Sequence, residues 1–172
     1  MPTNVQTTIR QAVDFGEGVG LHSGQIIRMR CLPARDDSGI VFRRVDLPGQ
    51  PQVQAHIDYL DQAALVRQTS LVDGSARVGT VEHILACCLG LGIDNLIIEL
   101  NGPEVPMHDG SAVFVAKGLF DSGIAELSMP RHTVHIPHPI LFELDAAEVT
   151  ALPADTFQAA FFAEFEHPAI GH

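Results

Sequence analysis

At 172 residues with 46% hydrophobic side chains, the chain is long enough to bury a sizeable core, which excludes a disordered protein. Ten Lys and Arg stand against 21 Asp and Glu, a net charge of −11 that repels phosphate backbones and anionic membrane surfaces, so no nucleic acid is expected as a partner. Three cysteines, two of them adjacent at Cys87 and Cys88, make neither an even disulfide framework nor a spaced zinc cluster, and they point to a reducing, cytoplasmic setting.

The amino terminus, MPTNVQTTIRQAV, has no apolar core of the kind a signal peptide carries, and the longest uncharged apolar run, residues 84–93, is about half of what a bilayer crossing needs. Neither a signal peptide nor a transmembrane segment is therefore expected. In QIIRMRCL, residues 25–32, Ile27, Met29 and Cys31 alternate with Arg28 and Arg30, the period of a strand with one apolar face. PQVQAHI repeats the pattern with Val53, Ala55 and Ile57, and GIVFRRV and LVRQTSLV read as shorter strands, so the chain before residue 79 is expected to be mostly antiparallel β.

Val81, Ile84, Leu85 and Cys88 then fall at i, i+3, i+4 and i+7, which predicts a helix with Thr80 as its N-cap and Gly90 or Gly92 at its end. NLIIEL, residues 95–100, reads as a buried strand. Ala112, Val115, Ala116 and Leu119 predict a second helix, capped by Asp109 or Ser111 and stopped at Gly123. The proline-bearing stretch AELSMPRHT breaks the periodicity, and a boundary is placed near residues 128–132, giving domains of 1–128 and 129–172. Three strands are expected after it, in HTVHIPHPILFEL, AEVTAL and FQAAFFAEF, the last alternating Phe157, Phe161 and Phe165 with alanines on one face. With no helix after them to cover that face, the second domain reads as one cut short. The fold class expected is α+β: a two-layer sheet-plus-helices domain followed by an incomplete domain of mostly β-strands.

Several stretches could carry chemistry. GEGVGLHSG, residues 16–24, looks like a phosphate cradle, but a phosphate loop needs a helix after its glycines and here a strand follows, so a hairpin connection is the reading preferred. His22 at its tip is then a solvated loop residue or a group presented to a cleft. Glu82 and His83, placed at N2 and N3 by a Thr80 cap, stand where free amides and the helix dipole favour a neutral imidazole and a carboxylate. Such a histidine can ligate a metal while its neighbour takes a proton from water, although Glu in a first helical turn is common for dipole reasons alone. His132, His135 and His138 alternate faces on a proline-broken segment and do not converge, and His56 and Asp58 read as solvated side chains. Asp109, in NGPEVPMHDGSA, is either a helix cap or a substrate contact.

Together, GVGLHSG, VFRRVDL, TVEHILACCLGLGIDNLIIEL, NGPEVPMHDGSA and FEHPAIGH resemble, in order and spacing, the bacterial UDP-3-O-acyl-N-acetylglucosamine deacetylases. These enzymes remove acetate from a UDP-linked, acylated glucosamine at the committed step of lipid A synthesis. The resemblance implies two similar α/β domains with the active site between them, the first complete here and only the opening strands of the second present. It implies Zn2+ as cofactor, with His83 as a ligand and Glu82 as general base. Leu21 and His22 match positions at the mouth of the active site, and Thr69 and Asp109 match further positions close to the cleft or supporting it, all four being substrate-binding candidates. The family's other two zinc ligands, a histidine and an aspartate four residues apart, have no counterpart, because no histidine in this chain is followed by aspartate at that spacing. His108 stands where the family usually carries an apolar residue.

Two readings follow. In one, the chain is a zinc-dependent deacetylase that works only with complementary residues from another chain or from sequence missing here. In the other, it is a non-catalytic binding or regulatory paralogue, its uncovered strand face favouring a homo-oligomer or a complementary protein partner.

Overall fold

In the computed structural model, which describes residues 4–65, 67–145, 147–163, 167 and 169, the chain divides into two compact units, 1–131 and 132–172. The first opens with β1 (Val5–Ile9), β2 (Val13–Val19), β3 (Ile26–Pro33), β4 (Ile40–Arg44) and β5 (Gln52–Gln54), then the hairpin of β6 (Leu71–Asp73) and β7 (Ala76–Val78). Helix α1 (Glu82–Leu91), β8 (Leu96–Leu100), α2 (Val113–Asp121) and β9 (Ile124–Pro130) complete it. The unit is mixed α+β.

Its main sheet runs β2-β3-β8-β4-β5. All neighbours are antiparallel except β4 and β8, which pair parallel from Ile40↔Leu96 to Arg44↔Leu100. A parallel pair needs a long crossover, and the segment carrying α1 supplies it. Alternation sorts the two faces. Ile27, Met29, Cys31, Phe42, Val53, Ile98 and Leu100 are buried, and they share one core with Ile84, Cys87 and Cys88 of α1 and Val115 and Leu119 of α2. On the opposite face Glu99 of β8 stands between Arg30 and Arg43 of its neighbours, 3.2 Å from the Arg43 guanidinium. Ion pairs of this kind contribute about 0–1 kcal/mol, so the buried face carries the stability.

β1 and β9 form a separate antiparallel pair, fastened to the start of β8 by buried polar groups. The Thr8 hydroxyl donates to the Asn95 carbonyl at 2.7 Å, and the Asn95 amide donates to Gln6 Oε1 at 2.9 Å. Asp94 accepts from the Thr7 amide at 2.8 Å and from Arg131 Nη2 at 2.9 Å. Each of these polar groups has a partner, as burial requires. Helix α1 ends at Gly92, whose φ of 68° lets its amide close on the carbonyls of Cys88 and Leu89.

The three cysteines are free and buried. Burial pushes the Cys88 thiol up from 9.0 to about 12, helped by the Cys87 thiol beside it. Between those values the native state holds a proton that the unfolded chain has released, so stability falls as pH rises from about 9 to about 12. Replacing Cys88 by alanine is expected to flatten that alkaline loss in pH-dependent urea unfolding, by an amount of order 4 kcal/mol at its upper end.

The second unit contains β10 (Ile140–Leu144) and β11 (Ala147–Ala151), an antiparallel hairpin in register from Ile140↔Ala151 to Leu144↔Ala147. Ile140, Phe142, Leu144 and Val149 lie on one face and are exposed.

The structure departs from expectation at several points. The strand expected over PQVQAHI stops at Gln54, because His56 caps a short 3-10 turn at Ile57–Tyr59 and leaves Ile57 exposed. Of LVRQTSLV only Leu71 and Val72 are strand, and Val66 lies outside the described residues. The stretch AELSMPRHT, read as a break in periodicity, is strand β9 through Pro130, paired with β1. The third strand of the second unit does not form over residues 157–163, and Phe165 lies outside the described residues. Thr80 does not cap α1. Val81 does, so Glu82 and His83 occupy N1 and N2. Likewise α2 begins after Ala112, with neither Asp109 nor Ser111 at the cap position. No helix among the described residues is long and apolar enough to cross a membrane.

Candidate active site

The first turn of α1 presents Glu82 and His83, both half-buried. The Thr69 amide donates to Glu82 Oε2 at 3.0 Å, and the Thr69 carbonyl accepts from the Val81 amide at 3.3 Å, so one residue grips both the helix entry and the carboxylate. Among the described residues Glu82 Oε1 has no hydrogen-bond partner. His83 faces a shallow depression whose lining includes Thr80, Ile84, Cys87, Met107, Ser111 and Val115. Thus the residues leading into α1 and the loop before α2 border one helix end.

Thr80 is the strained residue there. Its φ is 56°, the left-handed region that a β-branched side chain adopts only under constraint. The constraint is visible: its hydroxyl lies 2.8 Å from Glu104 Oε1 and 3.2 Å from Gln68 Oε1, and the flanking backbone pairs Gly79 with Glu104.

Glu104 also reaches the hairpin turn between β2 and β3. Its carboxylate accepts from the His22 amide at 3.0 Å and from the Ser23 amide at 2.9 Å. Burial alone raises its pKa, but the His22 and Ser23 amides and the Thr80 hydroxyl together hold it below the ordinary 4.5. The sign is that of a depressed carboxylate: the stabilisation is present above 4.5 and is lost as pH falls through the lower native value. Gly20 makes room for this carboxylate, since a Cβ there would lie 2.5 Å from Glu104 Oε2. The glycine-rich segment is therefore a hairpin connection shaped around an acidic side chain.

The predicted site residues do not all converge. Glu82 and Thr69 are in contact, and His22 is linked through its own amide to Glu104 and so to Thr80. Leu21, in the same turn, is exposed. Asp109 is exposed and turns inward on its own loop, accepting from the Ser111 amide at 2.9 Å and hydroxyl at 3.0 Å. The Ser111 amide and hydroxyl hold its pKa below 3.8. That loop is then relayed to α2 by the Val113 amide, which donates to Ser111 Oγ at 3.2 Å. His108, between them, packs its ring against Phe114 with centroids 4.6 Å apart, and burial pushes its pKa below 6.5. Its buried Nε2 has no hydrogen-bond partner among the described residues.

Sequence reasoning missed Glu104 and Gln68. The one local signal at Glu104 was an acidic residue between Pro103 and Pro106 in a chain turn, and it does not reveal a partner 82 positions earlier. Among the described residues no three His, Cys, Asp or Glu side chains come together as a metal set. These residues alone therefore do not fit a catalytic zinc, which takes three protein ligands.

Comparison with known proteins bears directly on this geometry. A family model described as UDP-3-O-acyl N-acetylglycosamine deacetylase matches residues 6–172. A UDP-3-O-acyl-N-acetylglucosamine deacetylase of Trichormus variabilis is 41% identical over 97% of this chain and 59% of its own length. Proteins of the same name from Chromohalobacter salexigens and Acinetobacter baumannii are 38% and 37% identical, over 97% and 96% of this chain and 54% of their own lengths. The chain thus spans little more than half the length of these relatives.

Proposed function

This chain belongs to the UDP-3-O-acyl N-acetylglycosamine deacetylase family, and on that premise we propose that it supplies one half of an amide-hydrolysing site. Its substrate is a UDP-linked, acylated glucosamine, and the product released is acetate. The carrying observation is Glu82 Oε2 held on the Thr69 amide at 3.0 Å beside half-buried His83 in the first turn of α1. With Oε2 occupied, Oε1 is the atom that accepts a proton from the attacking water. His83 offers one imidazole to a Zn2+ ion, whose other ligands would come from outside the described residues. Leu21, His22, Thr69 and Asp109 are the residues proposed to meet the substrate, by their place in the family's motifs. The three free cysteines support a reducing, cytoplasmic setting.

A second reading rests on the absence of a three-ligand set among the described residues: a non-catalytic module that keeps the scaffold and binds the same nucleotide sugar or a protein, with the exposed apolar face of β10 and β11 available for self-association. One experiment separates them. Zinc content and acetate release are measured for the full chain alone and mixed with a chain carrying a histidine and an aspartate four residues apart from the later part of a relative. Zinc uptake and turnover in the mixture are expected. Neither metal nor turnover in either case removes the enzyme and leaves the binding module.

A further inference from the structure

Glu104 is 3% exposed and ionised, yet among the described residues no cation lies within ion-pairing distance of it. Burying a charge is expensive, and a neutral side chain would fasten a hairpin turn at lower cost. What the charge brings is short, directed bonds to donors from two separate elements. Oε1 accepts from the Thr80 hydroxyl at 2.8 Å and the His22 amide at 3.0 Å, while Oε2 accepts from the Ser23 amide at 2.9 Å. Backbone pairing leaves little slack, because the Gly79 amide donates to the Pro103 carbonyl at 2.9 Å and the Val105 amide to the Gly79 carbonyl at 3.0 Å. The carboxylate therefore spans from the turn that carries His22 to the strained residue two positions before Glu82.

We infer that Glu104 is a positioning residue: it clamps the β2-β3 turn to Thr80 and so fixes where His22 stands relative to Glu82 and His83. The inference rests on the proposed half-site. Thr80 at φ 56° is the lever, since relaxing it turns the first residues of α1, and Glu104 is the group that holds it there.

The test uses NMR of the full 172-residue chain and of Glu104→Gln, Glu104→Asp and Thr80→Val. In the wild type the His22 and Ser23 amide protons are expected to move together, with one midpoint below pH 4.5, as their shared acceptor protonates. Glu104→Gln is expected to abolish that shared titration and to displace the imidazole signals of His22 and His83 together. Thr80→Val keeps the turn bonds, so it is expected to displace His83 while the two amides still titrate. If Glu104→Gln lowers Tm but leaves both imidazoles at their wild-type positions, the residue is merely structural and the inference falls. Should Glu104→Gln not fold, Glu104→Asp and Thr80→Val decide by the same imidazole readout. In a mixture that turns over, kcat is expected to fall at least ~10-fold in Glu104→Gln with KM changed less than about threefold, the sign of lost alignment. A wild-type mixture without turnover overturns the half-site reading only, and the imidazole signals still judge Glu104.

Discussion

Glu82→Gln is expected to lower acetate release by about 10²–10⁴-fold in an assembly that turns over, with KM little changed, because a general base contributes on that scale. The substitution is well chosen for this site. Glutamine retains an oxygen that accepts from the Thr69 amide, so the side chain keeps the position seen at 3.0 Å and loses only its capacity to take a proton. It also removes a negative charge from the start of α1, where the dipole favours one by roughly 0.3–1 kcal/mol, and a small drop in Tm is the expected stability cost. Steady-state kinetics with a unit Tm measurement checks both. Turnover within about threefold of wild type would remove Glu82 as the proton acceptor, since no other carboxylate is held at that helix end with a free oxygen among the described residues.

The largest stability effect expected on the same helix comes from Ile84→Ala. Ile84 is 1% exposed, sits in the common core with Leu96, Ile98 and Leu119, and lines the depression that His83 faces. Truncating a buried isoleucine costs about 2–5 kcal/mol, the sum of lost transfer energy and the cavity left behind. Leu89→Ala, one and a half turns along and 60% exposed, is expected to change stability by less than about 0.5 kcal/mol. Urea unfolding of the two variants tests whether α1 is anchored by its inward face. Equal effects would show that the helix is not seated as described. Because Ile84 adjoins His83, its loss is also expected to loosen the imidazole, which broadens the His83 ring signals.

These two residues illustrate what could be read in advance. The i, i+3, i+4 spacing that names Ile84 as core is a property of one helical segment, and the alternation in residues 25–32 and the short apolar run in residues 95–100 are each properties of one strand. Such local patterns therefore located β3, β4, β8, α1 and α2 to within two or three residues. They failed where a segment's state depends on a distant neighbour. AELSMPRHT carries a proline and no clear period, yet its residues 125–130 are strand because β1 lies beside them, with Thr7 opposite Glu126 and Ile9 opposite Ile124. FQAAFFAEF alternates well, yet the described residues 157–163 form no strand, since alternation without a paired neighbour satisfies no backbone groups.

The candidate site divides in the same way. By itself the sequence determined the family, through five fragments in order, and placed Glu82 and His83 at the start of a helix, because dipole, period and motif are all local. The tertiary structure decided that Thr80 is not a cap but a strained residue held in the left-handed region, that Thr69 grips Glu82, and that one buried carboxylate joins the turn at His22 to the entry of α1. Those contacts link residues 13, 24 and 82 positions apart. A hydrogen bond over such a separation depends on which strands the fold sets side by side, here β4 parallel to β8 and Gly79 against Glu104, and no local pattern encodes that pairing.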